Sequence, residues 1–159
     1  MEDFFSKWIQ INNHDDIMKK EELKRAGYYV PGIYAIAYSS DNLSGIDFDY
    51  IEDIVYFGMS INKRGLQGRL YQFFSAINGK SNRHSGAEKM YRVLPTEDIN
   101  WKDKLYISLW RCIYCNVIEF SPKDLSIMGD IAKQEYICLS EYMKRYNKLP
   151  RFCNKPKSI

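Results

Sequence analysis

Apolar residues near the start of the chain recur at the spacing of a helix. They are Phe4, Phe5, Trp8 and Ile9. This spacing predicts an amphipathic helix over roughly the first dozen residues. We expect a second short helix that begins at a cap on Asp15 or Asp16 and ends at Gly27, because glycine commonly terminates helices. The two helices would form an N-terminal extension over residues 1–28, to which we assign no chemistry.

Two β-rich runs follow the predicted extension. Tyrosine, valine, isoleucine and alanine dominate the first run and predict a strand over residues 33–38. Serine, aspartate, asparagine and glycine fill residues 39–49 and predict a long loop. A second strand is expected near residues 53–58, and strict alternation would place Ile54 and Tyr56 on one face of it.

The remainder of the chain is expected to form a helix, a strand and a final helix. The first of these helices is indicated by Leu66, Leu70, Phe73, Phe74 and Ile77. Residues 78–87 are polar and predict a loop, and residues 105–119 alternate well enough for a third, long strand. Ser121 and Pro122 predict the start of the last helix. Two neighbouring strands joined by a loop favour an antiparallel pair, in a small α/β sandwich that the third strand completes.

Composition describes one packed domain. Apolar residues make up 45% and aromatic residues 15% of the 159 positions, which is typical of a globular protein with one core. No apolar run approaches the length of a bilayer crossing, and the first residues lack the regions of a signal peptide. We therefore expect a cytoplasmic protein without a membrane partner, whose four cysteines are reduced thiols.

Cations concentrate in one part of the chain. They are Lys63, Arg64, Arg69, Lys80, Arg83, Lys89 and Arg92. Aromatic residues are interleaved with them, and this mixture offers phosphate contacts around a packed scaffold. A solvated helical face explains the same composition equally well, and a net charge of +3 does not require nucleic acid. We take Lys63, Arg64, Arg83 and the adjacent His84 as candidate nucleic-acid contacts.

One carboxylate lies inside the apolar stripe of the last helix. The stripe consists of Leu125, Met128, Ile131, Ala132, Cys138, Leu139, Tyr142 and Tyr146. Glu135 falls three or four positions from several of its members. A carboxylate on a buried face is costly unless it meets a cation or hydrogen-bond donors, so a metal ion or Arg69 is its expected partner. Glu141 is rotated off the stripe and should be solvated.

Two tyrosine–glycine tripeptides stand in the two predicted strands. Gly32-Ile33-Tyr34 begins the first strand, and Tyr56-Phe57-Gly58 ends the second. Tyr34 and Tyr56 would share one sheet face if the strands pair nearly in register. The glycines would let a ligand or backbone approach closely. With thirteen tyrosines in the chain, packing is the alternative role for each of these two.

The order of these features along the chain resembles the GIY-YIG nuclease family. After the two tripeptides come Arg69, Glu135 and, in the tail, Asn154. Phe57 replaces the isoleucine of the second tripeptide. The resemblance covers about residues 29–156.

The resemblance implies a small central antiparallel three-stranded sheet flanked by helices, in a nuclease-like domain over residues 29–159. It also implies a metal-dependent DNA endonuclease that hydrolyses a phosphodiester with Mg²⁺ or Mn²⁺ and leaves a 5′-phosphate and a 3′-hydroxyl. In the family, a glutamate of the last helix is the single protein ligand of the metal. Glu135 matches by its apolar neighbours, whereas Glu141 matches the shorter spacing to Asn154.

The resemblance also implies roles for the other residues. Tyr34, supported by Tyr56, would deprotonate water, although which of the two is the base stays open. A phenol is a poor base near neutrality, so a metal or a cation must assist it. Arg69 would grip the scissile phosphate at two points, and Asn154 would help to hold the active site together.

The chain departs from the family at one position in the helix that carries Arg69. Many relatives have a histidine one turn after this arginine, where this chain has Phe73. His84 could partly substitute if its loop folds over the site. With no appended DNA-reading domain expected, the leading role is a stand-alone restriction-type enzyme that acts on double-stranded DNA as a dimer. The alternatives are a non-catalytic nucleic-acid-binding module on the same fold and an ordinary interaction protein.

Overall fold

The computed structural model describes residues 5–11, 21–26 and 28–153. In chain order its elements are β1 (Ile9–Gln10), α1 (Glu21–Arg25), β2 (Gly32–Tyr38), β3 (Ile54–Ser60), α2 (Leu66–Ile77), α3 (Ser85–Glu97), a 3-10 turn (Trp101–Lys104), β4 (Leu105–Arg111) and α4 (Pro122–Tyr146). Within the same residues, no helix is both long and apolar enough to cross a bilayer.

The four strands form one antiparallel sheet in the order β1-β4-β2-β3. The α/β class and the antiparallel pairing of β2 with β3 are confirmed. The expected three strands make up the centre and one edge of the sheet. The fourth strand, β1, lies at the other edge and was not expected.

The prediction of a helix over the first dozen residues is wrong where the structure describes them. Residues 5–8 are irregular, and β1 pairs with β4. Trp8 packs in the core on one face of the sheet, whereas Ile9 and Ile11 pack in the core on the other face. Such alternation belongs to a strand. Of the second predicted helix, the described part is α1, and residues 12–20 and 27 lie outside the described residues.

The third predicted strand is shorter than expected, and one helix was missed. β4 ends at Arg111, and the alternating residues that follow it form turns and irregular structure. The predicted loop 78–87 runs directly into α3, whose side-chain N-cap is His84. The start of α4 is confirmed, because Ser121 caps the helix in a capping box with Asp124.

A β-bulge changes which residues of β3 share a face. Ile36 of β2 pairs with Tyr56, but the next residue, Ala37, pairs with Ile54, so Val55 has no partner opposite it. Val55 and Tyr56 therefore enter the same core, while Ile54 enters the opposite one. The expectation that Ile54 and Tyr56 share a face is wrong for this reason.

The two faces of the sheet carry separate cores. Helices α2 and α3 cover one face, and α4 covers the other through Ile131, Cys138 and Tyr142. Tyr34 and Tyr56 belong to the face beneath α2 and α3. The candidate site therefore lies between this face and the two helices.

The outer edge of β3 is covered by the chain that follows α4. The Phe152 amide donates to the Val55 carbonyl at 2.9 Å. The Phe57 amide donates to Cys153 Sγ at 3.4 Å. An exposed strand edge is thereby paired, and the segment after α4 is brought alongside the second tyrosine tripeptide.

Candidate active site

Tyr34 and Tyr56 lie side by side on one face of the sheet, as the sequence predicts. Tyr34 pairs with Gly58, and Tyr56 pairs with Ile36, so the tyrosines occupy diagonal positions on adjacent strands. Their ring centroids are 5.9 Å apart. Tyr34 is completely buried, whereas Tyr56 is 8% exposed. Tyr56 is therefore the member of the pair with an edge towards solvent.

Two glycines make room for these rings. A β-carbon on Gly58 would lie 2.4 Å from the Tyr34 hydroxyl, and one on Gly86 would lie 2.6 Å from the Tyr56 ring. Gly32 instead accepts a close approach of backbone, since a β-carbon there would lie 2.0 Å from the Trp110 carbonyl oxygen. The glycines of the tripeptides thus accommodate a ring and a neighbouring strand.

His84 lies in the same pocket, at the N-terminus of α3. Its Nε2 is 2.6 Å from the Tyr34 hydroxyl, and its Nδ1 accepts a hydrogen bond from the Ala87 amide at 3.1 Å. The side chain is completely buried. His84 is thus not exposed for the direct contact with nucleic acid that the sequence suggested, and it lies beside Tyr34.

Phe73, which follows Arg69 by one turn on α2, packs against this histidine. The two ring centroids are 5.2 Å apart and the rings meet edge to face. Phe73 also lies 6.4 Å from the Tyr34 ring. An imidazole therefore reaches Tyr34 from the N-terminus of α3, while the α2 position one turn after Arg69 supplies an aromatic ring.

Arg69 supplies the positive charge of the site. On α2, its Nη1 donates to Gln72 Oε1 at 2.7 Å and to the Arg83 carbonyl at 3.3 Å. Its charge acts on Tyr34 and Tyr56 and lowers the pKa of each phenol. The charge of one guanidinium thus favours the ionised form of both tyrosines.

Burial opposes ionisation of both phenols. The pKa of Tyr34 is raised well above its usual value of 10.0, first by burial and then by the charge of Tyr56. Burial also raises the pKa of Tyr56, but Arg69 and a hydrogen bond with Tyr34 act in the opposite direction. In each phenol two interactions oppose the effect of burial, and the pKa of Tyr34 is raised further than that of Tyr56.

Glu135 lies on α4, which covers the other face of the sheet, but its charge acts on this cluster. Burial raises the pKa of its carboxyl, and the charge of Arg69 lowers it to a smaller extent. Its charge raises the pKa of Tyr56 and of Cys153. Among the described residues, no side chain or amide hydrogen-bonds to this carboxylate and no cation lies at ion-pair distance from it. The expected alternative of a direct ion pair with Arg69 is therefore not formed.

Glu141, the competing candidate for the metal ligand, has a different environment. Its carboxylate pairs with Lys144 at 2.8 Å, which lowers its pKa. Its charge acts on Tyr50 rather than on the two strand tyrosines. The structure therefore brings Glu135, and not Glu141, to the cluster that contains Arg69.

The remaining candidate cations are exposed in the turns that precede α2 and α3. Lys63 and Arg64 are exposed in the turn before α2, and Arg83 is exposed just before His84. The Arg64 guanidinium lies over the Tyr71 ring at 5.8 Å. Their exposure suits contacts with a large anionic ligand more than a role in a buried reaction.

Asn154 lies outside the described residues. The residue before it, Cys153, accepts a hydrogen bond from the amide of Phe57. The chain therefore reaches the edge of β3 one residue before the predicted asparagine.

The residues present fit a hard divalent cation held by one protein carboxylate. Mg²⁺ is commonly bound through one or two carboxylates, with water and substrate phosphate completing its coordination. Glu135 offers carboxylate oxygens that no cation or donor of the described residues occupies. No group of three histidine, cysteine, aspartate or glutamate side chains that could hold a metal occurs among those residues. A site of this kind would therefore depend on substrate phosphate.

No protein-family model, curated protein or solved structure matches this chain. Function must accordingly be inferred from the site and from the order of its residues in the sequence.

The sequence did not predict that Gly86 makes room for the Tyr56 ring, or that His84 both caps α3 and contacts Tyr34. Both depend on α3, whose apolar residues Ala87, Met90 and Leu94 recur at helical spacing and are all buried. This periodicity was available in the sequence and could have placed a helix start at His84.

Replacement of Gly58 by alanine tests the packing of the tyrosine ring. The new β-carbon would overlap the Tyr34 ring, so we expect Gly58→Ala to lower the free energy of unfolding by about 1–3 kcal/mol. Gly129→Ala is the control, because Gly129 is exposed on α4 with no atom within 4 Å of an added β-carbon. That change should stabilise the protein by up to about 1 kcal/mol. Urea unfolding measures both, and equal stability of Gly58→Ala and the parent would contradict the contact.

Replacement of Glu135 by glutamine tests the burial of its charge. A carboxyl whose pKa is raised on folding destabilises the folded state above that pKa, and the penalty disappears as the pH falls below the unfolded value near 4.5. Glu135→Gln should therefore have a higher melting temperature than the parent at pH 7, and this difference should vanish near pH 4. Glu141→Gln, whose parent carboxylate is favourably paired, should show no gain at pH 7.

Proposed function

We propose that the protein is a metal-dependent DNA endonuclease of the GIY-YIG type. The observation that carries this proposal is that Tyr34 and Tyr56 lie side by side, with the charge of Arg69 acting on both and that of Glu135 acting on Tyr56. A half-buried carboxylate without a partner among the described residues, a shared arginine and two phenols together make a site with perturbed pKa values, as catalytic sites commonly have.

Glu135 would hold the divalent cation. An unpaired carboxylate is costly to bury, and retention of this charge is explained if a cation neutralises it. When bound, Mg²⁺ or Mn²⁺ would supply positive charge to the scissile phosphate and to the leaving oxygen. The role assigned to Glu135 requires no second protein carboxylate.

Arg69 would hold the scissile phosphate and stabilise the charge that develops in the transition state. Its hydrogen bonds to Gln72 and to the Arg83 carbonyl use Nη1 and fix the orientation of the guanidinium. A preorganised donor of this kind strengthens its contact as the oxygen charge grows. The same guanidinium favours the ionised form of the neighbouring phenols.

The tyrosine pair would remove the proton from the attacking water. We assign contact with the water to Tyr56, because it has the exposed edge, and we place Tyr34 behind it. Water's oxygen then bonds to phosphorus, its proton passes to the ionised phenol, and the bond from phosphorus to the 3′-oxygen breaks. The leaving oxygen takes a proton from solvent. The products are a 5′-phosphate and a 3′-hydroxyl.

A non-catalytic nucleic-acid-binding module is the second candidate. Exposed cations such as Lys63, Arg64 and Arg83 would suffice for such a protein. Such a protein would not need a partly buried carboxylate whose charge acts on the tyrosines. The unpaired Glu135 therefore favours the enzyme. A stand-alone restriction-type role on double-stranded DNA, with two copies acting together, is the biological setting that we propose.

Cleavage of supercoiled plasmid tests the proposed activity. The parent protein should nick the plasmid with Mg²⁺ and should lose this activity with a chelator. Glu135→Gln should lose cleavage but keep DNA binding, because the amide keeps the shape and loses the charge that holds the metal. Glu141→Gln is the matched control on the same helix and should cut normally. If Glu135→Gln cleaves the plasmid and Glu141→Gln does not, the metal ligand is Glu141 and the assignment to Glu135 is wrong.

A second test concerns the arginine. An ammonium group cannot reproduce the two-point grip of a guanidinium on phosphate. Arg69→Lys should therefore slow cleavage by a factor on the order of 10² or more. Arg92→Lys is the control, because Arg92 is exposed on α3 and pairs with Glu88. Activity of Arg69→Lys within a few-fold of the parent would reduce Arg69 to a packing role.

A further inference from the structure

The imidazole of His84 is engaged at both ring nitrogens. Nδ1 accepts a hydrogen bond from the Ala87 amide at 3.1 Å and so caps α3. Nε2 lies 2.6 Å from the Tyr34 hydroxyl. The side chain is completely buried, with Phe73 packed on its ring. The ring is therefore held in one place and one orientation.

The contact with Ala87 determines which nitrogen carries the proton. A backbone amide can only donate, so Nδ1 must present its lone pair. A neutral imidazole has one N–H group, which must then be on Nε2. His84 consequently donates to the Tyr34 oxygen and does not accept from it.

The ring stays neutral over the ordinary pH range. A second proton would have to enter at Nδ1 and would break the cap of α3. Burial, and then the charge of Arg69, lower the pKa of His84 to about 3. His84 is thus unsuited to serve as the base that takes a proton from water near neutrality.

Because the Tyr34 oxygen accepts the hydrogen bond from His84, the hydroxyl hydrogen of Tyr34 can be donated to a different acceptor. Tyr56 is the neighbouring phenol, with its ring centroid 5.9 Å from that of Tyr34. Hydrogen bonding with Tyr34 lowers the pKa of Tyr56. The donor series from the N-terminus of α3 thus runs through His84 to Tyr34, whose ring lies beside that of Tyr56.

We propose that His84 is a positioning residue, which donates from Nε2 to Tyr34 and so commits the Tyr34 proton to Tyr56. This inference rests on the proposed function for its effect on cleavage, but not for the direction of the hydrogen bonds. The ionised oxygen of Tyr56 would then accept a hydrogen bond from Tyr34 on its buried side and a proton from water on its exposed side.

Other charged groups around Tyr56 must be considered in any pH dependence. Arg69 from α2 lowers its pKa, while Cys153 from the segment after α4 and Glu135 from α4 raise it. None of these three residues is itself replaced in a His84 variant. A shift in the pH–rate profile of cleavage in such a variant would therefore reflect the loss of the hydrogen bond from His84 to Tyr34.

The direction of the hydrogen bonds can be measured without metal or DNA. The chain has only two histidines, so loss of one set of signals in His84→Asn assigns His84 in a ¹⁵N-correlated NMR spectrum of the parent. We expect Nε2 protonated and Nδ1 unprotonated, with no titration between pH 8 and pH 5. Protonation at Nδ1, or titration near 6.5, would overturn the inference whether or not the protein is a nuclease.

The effect on cleavage is tested by two matched variants. Asparagine is a strong N-cap, so His84→Asn can keep the hydrogen bond from Ala87 while it removes the donor to Tyr34. We expect cleavage to slow by about 10- to 100-fold, the worth of a hydrogen bond to a charged group. The rise of rate with pH should also move to higher pH, because the ionised phenol is less stabilised.

Phe73→Leu is the control for damage to packing. It removes the ring that contacts His84 but leaves both hydrogen bonds of the imidazole in place. Its pH–rate profile should keep the position of the parent profile even if its stability falls. If the profile of His84→Asn coincides with that of the parent, His84 only caps α3 and the positioning role is refuted. Absence of cleavage by the parent would refute the proposed function and leave the NMR result to decide the hydrogen bonds.

Discussion

The contact between the Tyr34 ring and Gly58 is the constraint on which the rest of the site depends. The two residues are paired across β2 and β3, and the missing β-carbon of Gly58 lets the ring lie over the neighbouring strand. In that position the hydroxyl meets His84 at the start of α3. A glycine in one strand therefore determines where a phenol of another strand meets a helix, which gives the tyrosine–glycine spacing a physical reason.

A single positive charge balances much of the unfavourable burial around this contact. Arg69 lowers the pKa of Tyr34, Tyr56 and Glu135, each of which burial raises. The same charge makes His84 harder to protonate. Its influence on all four groups comes from its place on α2, between the sheet and the start of α3. Loss of this charge would therefore disturb several ionisations at once rather than one hydrogen bond.

The elements next to the tripeptides could be predicted because local patterns decide them. The β-rich runs, the helix of Arg69 and the cap at Ser121 all follow from short-range rules. β1 could not be predicted in this way, because Trp8 and Ile9 suit either period and only pairing with β4 makes them a strand. The bulge at Val55 was equally hidden, since it depends on the Phe152 amide and on the register of β2. Burial of His84 required knowledge of how α3 packs.

The pKa shifts of His84 and Glu135 predict opposite effects of pH on stability. A histidine whose pKa is lowered on folding loses stability as the pH falls from about 6.5 towards 3, because only the unfolded chain binds the proton. Glu135 has the opposite sign, because its raised pKa lets the folded state bind a proton before the unfolded one does. At neutral pH the histidine is uncharged in both states and its lowered pKa costs no stability, while the ionised carboxylate removes some. A fold selected only for stability would replace the carboxylate with an apolar residue, and its presence beside Arg69 and Tyr56 is consistent with retention for binding a cation.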